Sequence, residues 1–543
     1  MNTAELVGRT LAELGAAQAF GVIGSGNFDV TNALRAHGVP FVATRHECGA
    51  ATMADAYARM SGRLAIVSTH QGCGLTNALT GIGEAAKSRT PLIVLTGEVA
   101  SSAVRSNFRI DQDAAVSAVG AVSERVYSAE TAAADTLRAY RTAVYERRTV
   151  VLNLPLDVQR QPVVEAPPAE KPQLPHPVRP DSRAVAELAG LIGSAERPVF
   201  IAGRGARGAA AELLALADAA GALLATSAVA NGLFHGSPWS VGISGGFASP
   251  LAAELISSAD LIVGWGCALN MWTTRHGKLI GPSAKLVQVD LDAAALGAHR
   301  PVHLGVLGDI GLTARDTLAE VVPAQGFRTD SVRARIATSA RWNSEPFTDE
   351  STVDRIDPRL LSLRLDELLP AERVVAIDSG NFMGYPSAYL SVPDEFGFCF
   401  TQAFQSIGLG LATGIGAALA RPDRLAVAAL GDGGCLMSVA ELDTVARLGL
   451  PMVIVVYNDD AYGAEVHHFG PAGAPLDTVV FPDTDIAAIA SGFGLAAITV
   501  RTADDLSGLT DWLAGPRDRA LLIDAKITSD GGAWWLAEAF RGH

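Results

Sequence analysis

Cysteine is scarce in this chain: five in 543 residues, at 48, 73, 267, 399 and 435, with no CxxC pair. An odd, scattered set excludes a zinc ribbon or a disulfide framework and fits a reducing compartment. Lysine is equally rare, at 87, 171, 278, 285 and 526, which leaves few positions for a Schiff-base lysine. Basic residues as a class are in deficit, 42 against 57 acidic ones, for a net charge of -15. That deficit excludes a nucleic-acid coat and leaves no basic face for anionic lipid. The N-terminal MNTAELVGRT has no apolar signal core. Long hydrophobic runs are missing too. The uncharged stretches 221–253 and 396–420 are interrupted by Gly, Ser, Thr or Gln, the first also by Pro. They read as buried globular segments and not as membrane spans. These absences predict a soluble, cytoplasmic protein with neither nucleic acid nor membrane as a partner.

What is present is ordinary globular sequence, 49% apolar and 18% charged, which excludes gross disorder. At ~150 residues per domain the length predicts three to four domains. Residues 161–180 hold seven prolines, so they are expected to run extended as a linker. A weaker boundary falls near 323–356, helix-like around Arg333–Arg341 and then polar. The expected parts are therefore 1–160, 181–325 and 356–543. Each alternates short apolar runs with Ala-rich stretches. Strands are predicted at AFGVIGSG, RLAIVSTH, PLIVLTGEV and TVVLNLPL in the first part. In the second they are RPVFIAGRG, ADLIVGWG and AKLVQVDLD; in the third, RVVAIDSG, RLAVAALGDGG, PMVIVVYND and ALLIDAKI. Strands apolar throughout are buried on both faces, so the fold class is α/β with parallel sheets covered by helices. Ligands of such sheets bind beyond the carboxyl ends of the strands. Glycines and polar residues cluster there, at 24–27, 70–74, 203–208, 379–381 and 431–434.

The strongest motif is Gly431-Asp432-Gly433-Gly434, with Asn458-Asp459-Asp460 beginning 24 positions after Gly434. The glycines let backbone N–H groups approach an anion. Asp432 and Asp459 close two strands that can be neighbours and can offer oxygen ligands to a hard cation such as Mg²⁺. The bland alternative is a tight turn and a solvated acidic loop. In the first part, Thr44-Arg45-His46-Glu47-Cys48 opens a helix of small residues. A lone Glu47 there would be a helix N-terminal charge paired with Arg45.

The GDG motif, its spacing to NDD, and the RHE-x-GA pattern resemble the thiamine-diphosphate (ThDP) enzymes of the acetolactate synthase, pyruvate decarboxylase and benzoylformate decarboxylase superfamily. The resemblance runs over nearly the whole chain. It implies a pyrimidine-binding domain, a Rossmann-like middle domain and a diphosphate-binding domain, in that order. It implies metal ligation by Asp432, Asp459 and the Ala461 carbonyl. Asp459 stands where the family has a second Asn. Gly431, Gly433, Gly434, Asn381 and Tyr462 become cofactor contacts. Glu47 becomes the glutamate that activates the aminopyrimidine. In FTQAFQSIGLGLATGIGAALA, Ile407 takes the place of the bulky residue under the cofactor; without the resemblance it is simply core.

Substrate-facing expectations follow from the same resemblance. Ser25 and His70 lie where benzoylformate decarboxylases have serine and histidine. Glu465 lies where pyruvate decarboxylases have a proton-transferring acid. A strand cap for His70 and a solvated helix face for Glu465, His467 and His468 are the bland alternatives. Gln112 is an uncertain match to a family glutamine. Gly203–Gly208 is formally GxGxxG, a weak signal alone. Where acetolactate synthases read RFDDR this chain has ALNMWTTR, 268–275, which argues against FAD; Arg275 and His276 remain candidates to reach the pocket.

The expected activity is a ThDP- and Mg²⁺-dependent decarboxylase or carboligase, a lyase or transferase. It acts on a 2-oxo acid, with an aldehyde or second 2-oxo acid as acceptor, by ylide addition to the carbonyl and an enamine intermediate. Acetolactate-synthase-like joining of two 2-oxo acids is the alternative within the family. A flavin or nicotinamide oxidoreductase and a non-catalytic ThDP-binding paralogue are alternatives of other classes. The resemblance also implies at least a homodimer, with a homotetramer preferred.

Overall fold

A computed structural model describes residues 1–164, 167–529 and 533–535. Apolar runs buried on both faces form three six-stranded, all-parallel sheets covered by helices. The first contains β1 (Gln18–Gly21), β2 (Phe41–Ala43), β3 (Ala65–Thr69), β4 (Leu92–Glu98), β5 (Val122–Arg125) and β6 (Thr149–Pro155), in the order β2-β1-β3-β4-β6-β5. The second contains β7 (Pro198–Ala202), β8 (Leu223–Thr226), β9 (Ser240–Ile243), β10 (Leu261–Trp265), β11 (Lys285–Asp290) and β12 (Leu304–Leu307), ordered β12-β11-β10-β7-β8-β9. The third contains β13 (Arg373–Ile377), β14 (Phe398–Phe400), β15 (Leu425–Gly431), β16 (Val453–Asn458), β17 (Ala496–Val500) and β18 (Leu521–Lys526), ordered β14-β13-β15-β16-β18-β17.

The strand order reverses between β1 and β3, between β7 and β10, and between β13 and β15; in the first and third sheets the last two strands are also swapped, as β6-β5 and β18-β17. Loops diverge at such a reversal and leave a crevice at the carboxyl ends of the strands, where open parallel sheets bind ligands. The described residues of 161–180 form neither helix nor strand beyond a single bridge between Asn2 and Pro162. The boundary region near 323–356 carries the helix Asp330–Ser339. Among the described residues no helix is long and apolar enough to cross a membrane.

The two outer sheets meet through the helices Glu47–Ser61 and Gly410–Ala420, both rich in Ala and Gly. Ala50, Met53, Ala54, Leu411, Ile415 and Leu430 belong to one apolar core that runs through both. Close approach demands small residues: a Cβ on Gly416 would lie 2.3 Å from the Met53 carbonyl oxygen. One ion cluster crosses this seam. Arg59 lies between Asp55, at 2.6 Å, and Glu84, at 2.8 Å, with all three buried. Buried charges of this kind persist only when paired and hydrogen-bonded, and removing one partner strands the others.

Candidate active site

The carboxyl ends of the adjacent strands β13, β15 and β16 bring together Asp378, Asp432 and Asp459. Register fixes this: Gly431 pairs with Tyr457, so Asp432 and Asn458 leave the sheet side by side. The Asp432 and Asp459 carboxyls lie within hydrogen-bonding reach of each other. Burial pushes both well above the usual carboxylate range; the Asp432 charge raises Asp459 further, while Asp460 raises Asp432 against the pull of its hydrogen bond with Asp459. Asn458 is spent structurally, donating to Asp524 at 2.8 Å. Asp460 adopts φ 55 and pairs with Arg355. The turn therefore presents Asp459 and the Ala461 carbonyl, not Asp460. A Cβ on Gly434 would fall 2.2 Å from Asp378 Oδ2, and one on Gly433 2.6 Å from the Tyr462 ring, so backbone alone fills this cradle.

The neighbouring loop is held from both outer domains. Glu84 accepts from the N–H groups of Ala403 (3.1 Å) and Phe404 (2.6 Å). Asp378 accepts from Gly408 (3.1 Å) and Leu409 (3.2 Å). Burial pushes the Asp378 carboxyl up to about 6, against the pull of these N–H groups. Between the two anchors sits Ile407. It is half-buried and lines a cavity instead of joining the core.

A second group gathers at the β1/β3 reversal. Ser25 Oγ lies 3.5 Å from His70 Nε2, while His70 Nδ1 lies 2.9 Å from the Gln71 carbonyl. A carbonyl only accepts, so Nδ1 carries the proton and Nε2 is left as a base. Glu47 is buried and accepts from Asn77 at 3.0 Å. Its partner is not Arg45, which instead pairs with Asp443 at 2.6 Å. Gln112 is a brace: it accepts from Gly72 N and donates to the Gly97 carbonyl and Asn153.

The cavity at the third sheet has a volume of about 750 Å³. Asn381, Ile407, Gly431, Asp432, Gly433, Gly434, Asp459, Ala461, Tyr462 and Glu465 all line it. Ser25, Glu47 and His70 do not, so one chain carries the expected set as two separate groups. His467 and His468 are not among the lining residues, and neither are Arg275 and His276. Arg275 donates to the carbonyls of Gly245 and Ala248, which accounts for its place. Sequence reasoning missed the far wall, where the second sheet contributes Arg204, Ser227, Asn270 and Trp272. The glycines of 203–208 and the segment 268–275 had pointed to this region, but not to these side chains.

The donor set fits a hard cation held against a diphosphate. Two carboxylates and a carbonyl cannot complete an octahedron alone, and Mg²⁺ habitually takes its remaining ligands from phosphate and water. Asn381 Oδ1 is buried without a hydrogen-bond partner and its residue lines the cavity. The raised carboxyls favour the ligand-free fold at low pH, and that contribution is lost as pH rises through their raised values. A cation would reverse the trend by displacing the proton. Calorimetry of Mg²⁺ and ThDP at pH 7, in buffers of different ionisation enthalpy, should therefore register proton release. Asp459→Asn should bind with fewer protons released. Equal release would show that the cation binds elsewhere.

Three family models of the thiamine pyrophosphate enzymes match this chain in sequence. The N-terminal TPP-binding domain matches residues 1–118, the central domain 185–317 and the C-terminal TPP-binding domain 378–525. A sulfoacetaldehyde acetyltransferase of Rhodobacter capsulatus is 30% identical over 100% of this chain and 96% of its own length. A probable 2-ketoarginine decarboxylase of Pseudomonas aeruginosa is 30% identical over 84% of this chain and 81% of its own. A probable acetolactate synthase large subunit of Methanococcus aeolicus is 25% identical over 85% and 81%. With three such domains in order, and a relative matched along its whole length, the chain belongs to the thiamine-diphosphate-dependent enzymes.

Proposed function

We propose that this enzyme is a ThDP- and Mg²⁺-dependent lyase or transferase. It cleaves the bond between the carbonyl carbon and the carboxylate of a 2-oxo acid, then protonates the remaining fragment or passes it to a second carbonyl. The observation that carries the reading is the Asp432–Asp459 pair, two carboxylates brought together at the ends of the adjacent strands β15 and β16, beside the β13/β15 reversal, and opening on a cavity that also holds Glu465. Asp432, Asp459 and the Ala461 carbonyl would hold the metal; Asn381 and the backbone at Gly431, Gly433 and Gly434 would hold the diphosphate, with Tyr462 against the glycine turn. When bound, ThDP supplies a carbanion equivalent that adds to a carbonyl and stores the electrons of the broken C–C bond. Ile407, which lines the cavity, would brace the cofactor. Glu47 exchanges a proton with the pyrimidine nitrogen. Glu465 delivers the proton that converts the fragment to an aldehyde, while His70 Nε2, backed by Ser25, serves the substrate's oxygens. Phe247 and Trp272 in the wall keep water out.

Because Glu47, Ser25 and His70 lie outside the cavity of their own chain, a second copy must bring them to it. Exposed apolar side chains flank both groups and suit such a contact: Phe28 (54%) and Phe108 (45%) on one side, Met437 (56%) and Phe404 (42%) on the other. An isologous dimer would complete two sites at once, and pairing of dimers would give a tetramer. Screening 2-oxo acids for CO₂ release tests the activity, with and without aldehyde acceptors. Release should require both ThDP and Mg²⁺. A protein that binds both yet frees CO₂ from no 2-oxo acid would overturn the decarboxylation step.

A further inference from the structure

The far wall of the cavity lies at the β7/β10 reversal of the second sheet, where Gly203-Arg204 follows β7 and Gly266-Cys267 follows β10. Ser244 and Asn270 on this wall have protein partners, but other polar groups of the cavity do not. The Arg204 side chain lines the cavity and makes no hydrogen bond or ion pair with any described residue. Ser227 Oγ and Gln402 Nε2 line the same cavity and are buried with no hydrogen-bond partner. Lys87, beside them, has only the face of the Phe404 ring, 5.3 Å away. The other charges nearby are committed. Arg59 is held by Asp55 and Glu84, and Arg207 donates to the carbonyls of Arg59 and Val229. Burial, with Arg59 and Arg207 close by, pulls the Arg204 guanidinium down to about 9. The guanidinium is half-buried on the cavity wall and has no counter-ion among the described residues.

The set therefore consists of donors awaiting an acceptor. Arginine offers a planar fork matched to carboxylate, sulfonate or phosphate oxygens, and a serine hydroxyl and an amide N–H can complete the shell. Gly203 and Gly266 leave no room for side chains between the strands: a Cβ on Gly203 would lie 2.2 Å from the Gly266 carbonyl oxygen. The neighbouring wall is therefore bare backbone.

We propose that Arg204, Ser227 and Gln402 form an oxoanion site that binds the distal anionic group of the substrate, making this enzyme selective for 2-oxo acids with a second negative charge. The selectivity rests on the proposed 2-oxo acid activity; the anion site does not. A substrate anchored at both ends is also oriented, so its reacting carbonyl is presented at a fixed distance from Arg204.

The test begins with calorimetry on the cofactor-free protein, using glutarate, chain-matched pentanoate and inorganic phosphate as probes. Glutarate should bind and pentanoate should not. Arg204→Met should weaken glutarate by about 10–100-fold, the range of a lost charge-assisted pair. Arg204→Lys should restore part of it, and Ser227→Ala should weaken it less. With turnover as the second readout, the ratio of kcat/KM for 2-oxo diacids of four to six carbons over chain-matched monoacids should fall by a similar factor in Arg204→Met. Equal affinity for glutarate and pentanoate would overturn the proposal, as would Arg204→Met binding like wild type. Binding of phosphate alone would overturn the substrate-tail assignment in favour of a free oxoanion. ThDP affinity, measured separately, reveals any failure of the cofactor reading, because the anion titration needs no cofactor.

Discussion

Glu47→Gln is expected to lower turnover by ~10²–10⁴-fold, the usual contribution of a general acid–base group, while ThDP remains bound. Glutamine keeps the length of the side chain and can still accept from Asn77, so the start of the helix Glu47–Ser61 is preserved. It cannot gain and lose a proton at the pyrimidine nitrogen. Glu47 is buried and has one protein partner, which leaves its other oxygen for the cofactor. The loss should appear in kcat, since the missing interaction belongs to activation and not to substrate capture. Near-normal rates on the true substrate would remove Glu47 from the mechanism.

Asp432→Ala is expected to abolish cofactor binding instead of slowing one step. Without that carboxylate a bound metal would keep one side-chain ligand, Asp459, too few to hold it to the protein. Affinity for ThDP with Mg²⁺ should fall by at least about 100-fold, beyond the cost of losing an outer-shell partner. The ligand-free protein should tolerate the change. Burial burdens both carboxyls and the Asp432 charge raises Asp459, so removing Asp432 relieves Asp459. Thermal unfolding of ligand-free Asp432→Ala should match wild type, while stabilisation by ThDP and Mg²⁺ should vanish. Unchanged affinity in calorimetry would refute the metal site.

The strands legible in the sequence were those buried on both faces, such as Ile66, Val67 and Ile93–Leu95. Those not legible were chiefly sheet edges: β2, β5, β9, β12, β14 and β17. Edge strands are short or half-covered, and Val122–Arg125, with its Ser, Glu and Arg, shows no apolar run. The interior strand β8 was hidden differently. Leu223–Thr226 follows the helix Ala210–Ala220 in an Ala- and Leu-rich stretch where Gly221 alone marks the helix end. Site residues were legible where the chemistry sits in one loop, as at Gly431–Gly434 and Asn458-Asp459. Arg204, Ser227 and Gln402 line one cavity only because loops of the second and third sheets meet there. No spacing in the chain signals that meeting. The same holds for Arg59 and Glu84, whose alignment with Ala403 and Phe404 exists only after the outer domains dock.

The most direct test of a cofactor site completed by two chains mixes Glu47→Gln with Asp432→Ala under conditions that exchange subunits. In a hybrid dimer one site carries both lesions and the other carries neither. Random mixing makes half the dimers hybrid, so activity should recover to about a quarter of wild type if sites act independently. No recovery despite verified subunit exchange, or full activity in a proven monomer, would contradict the shared site.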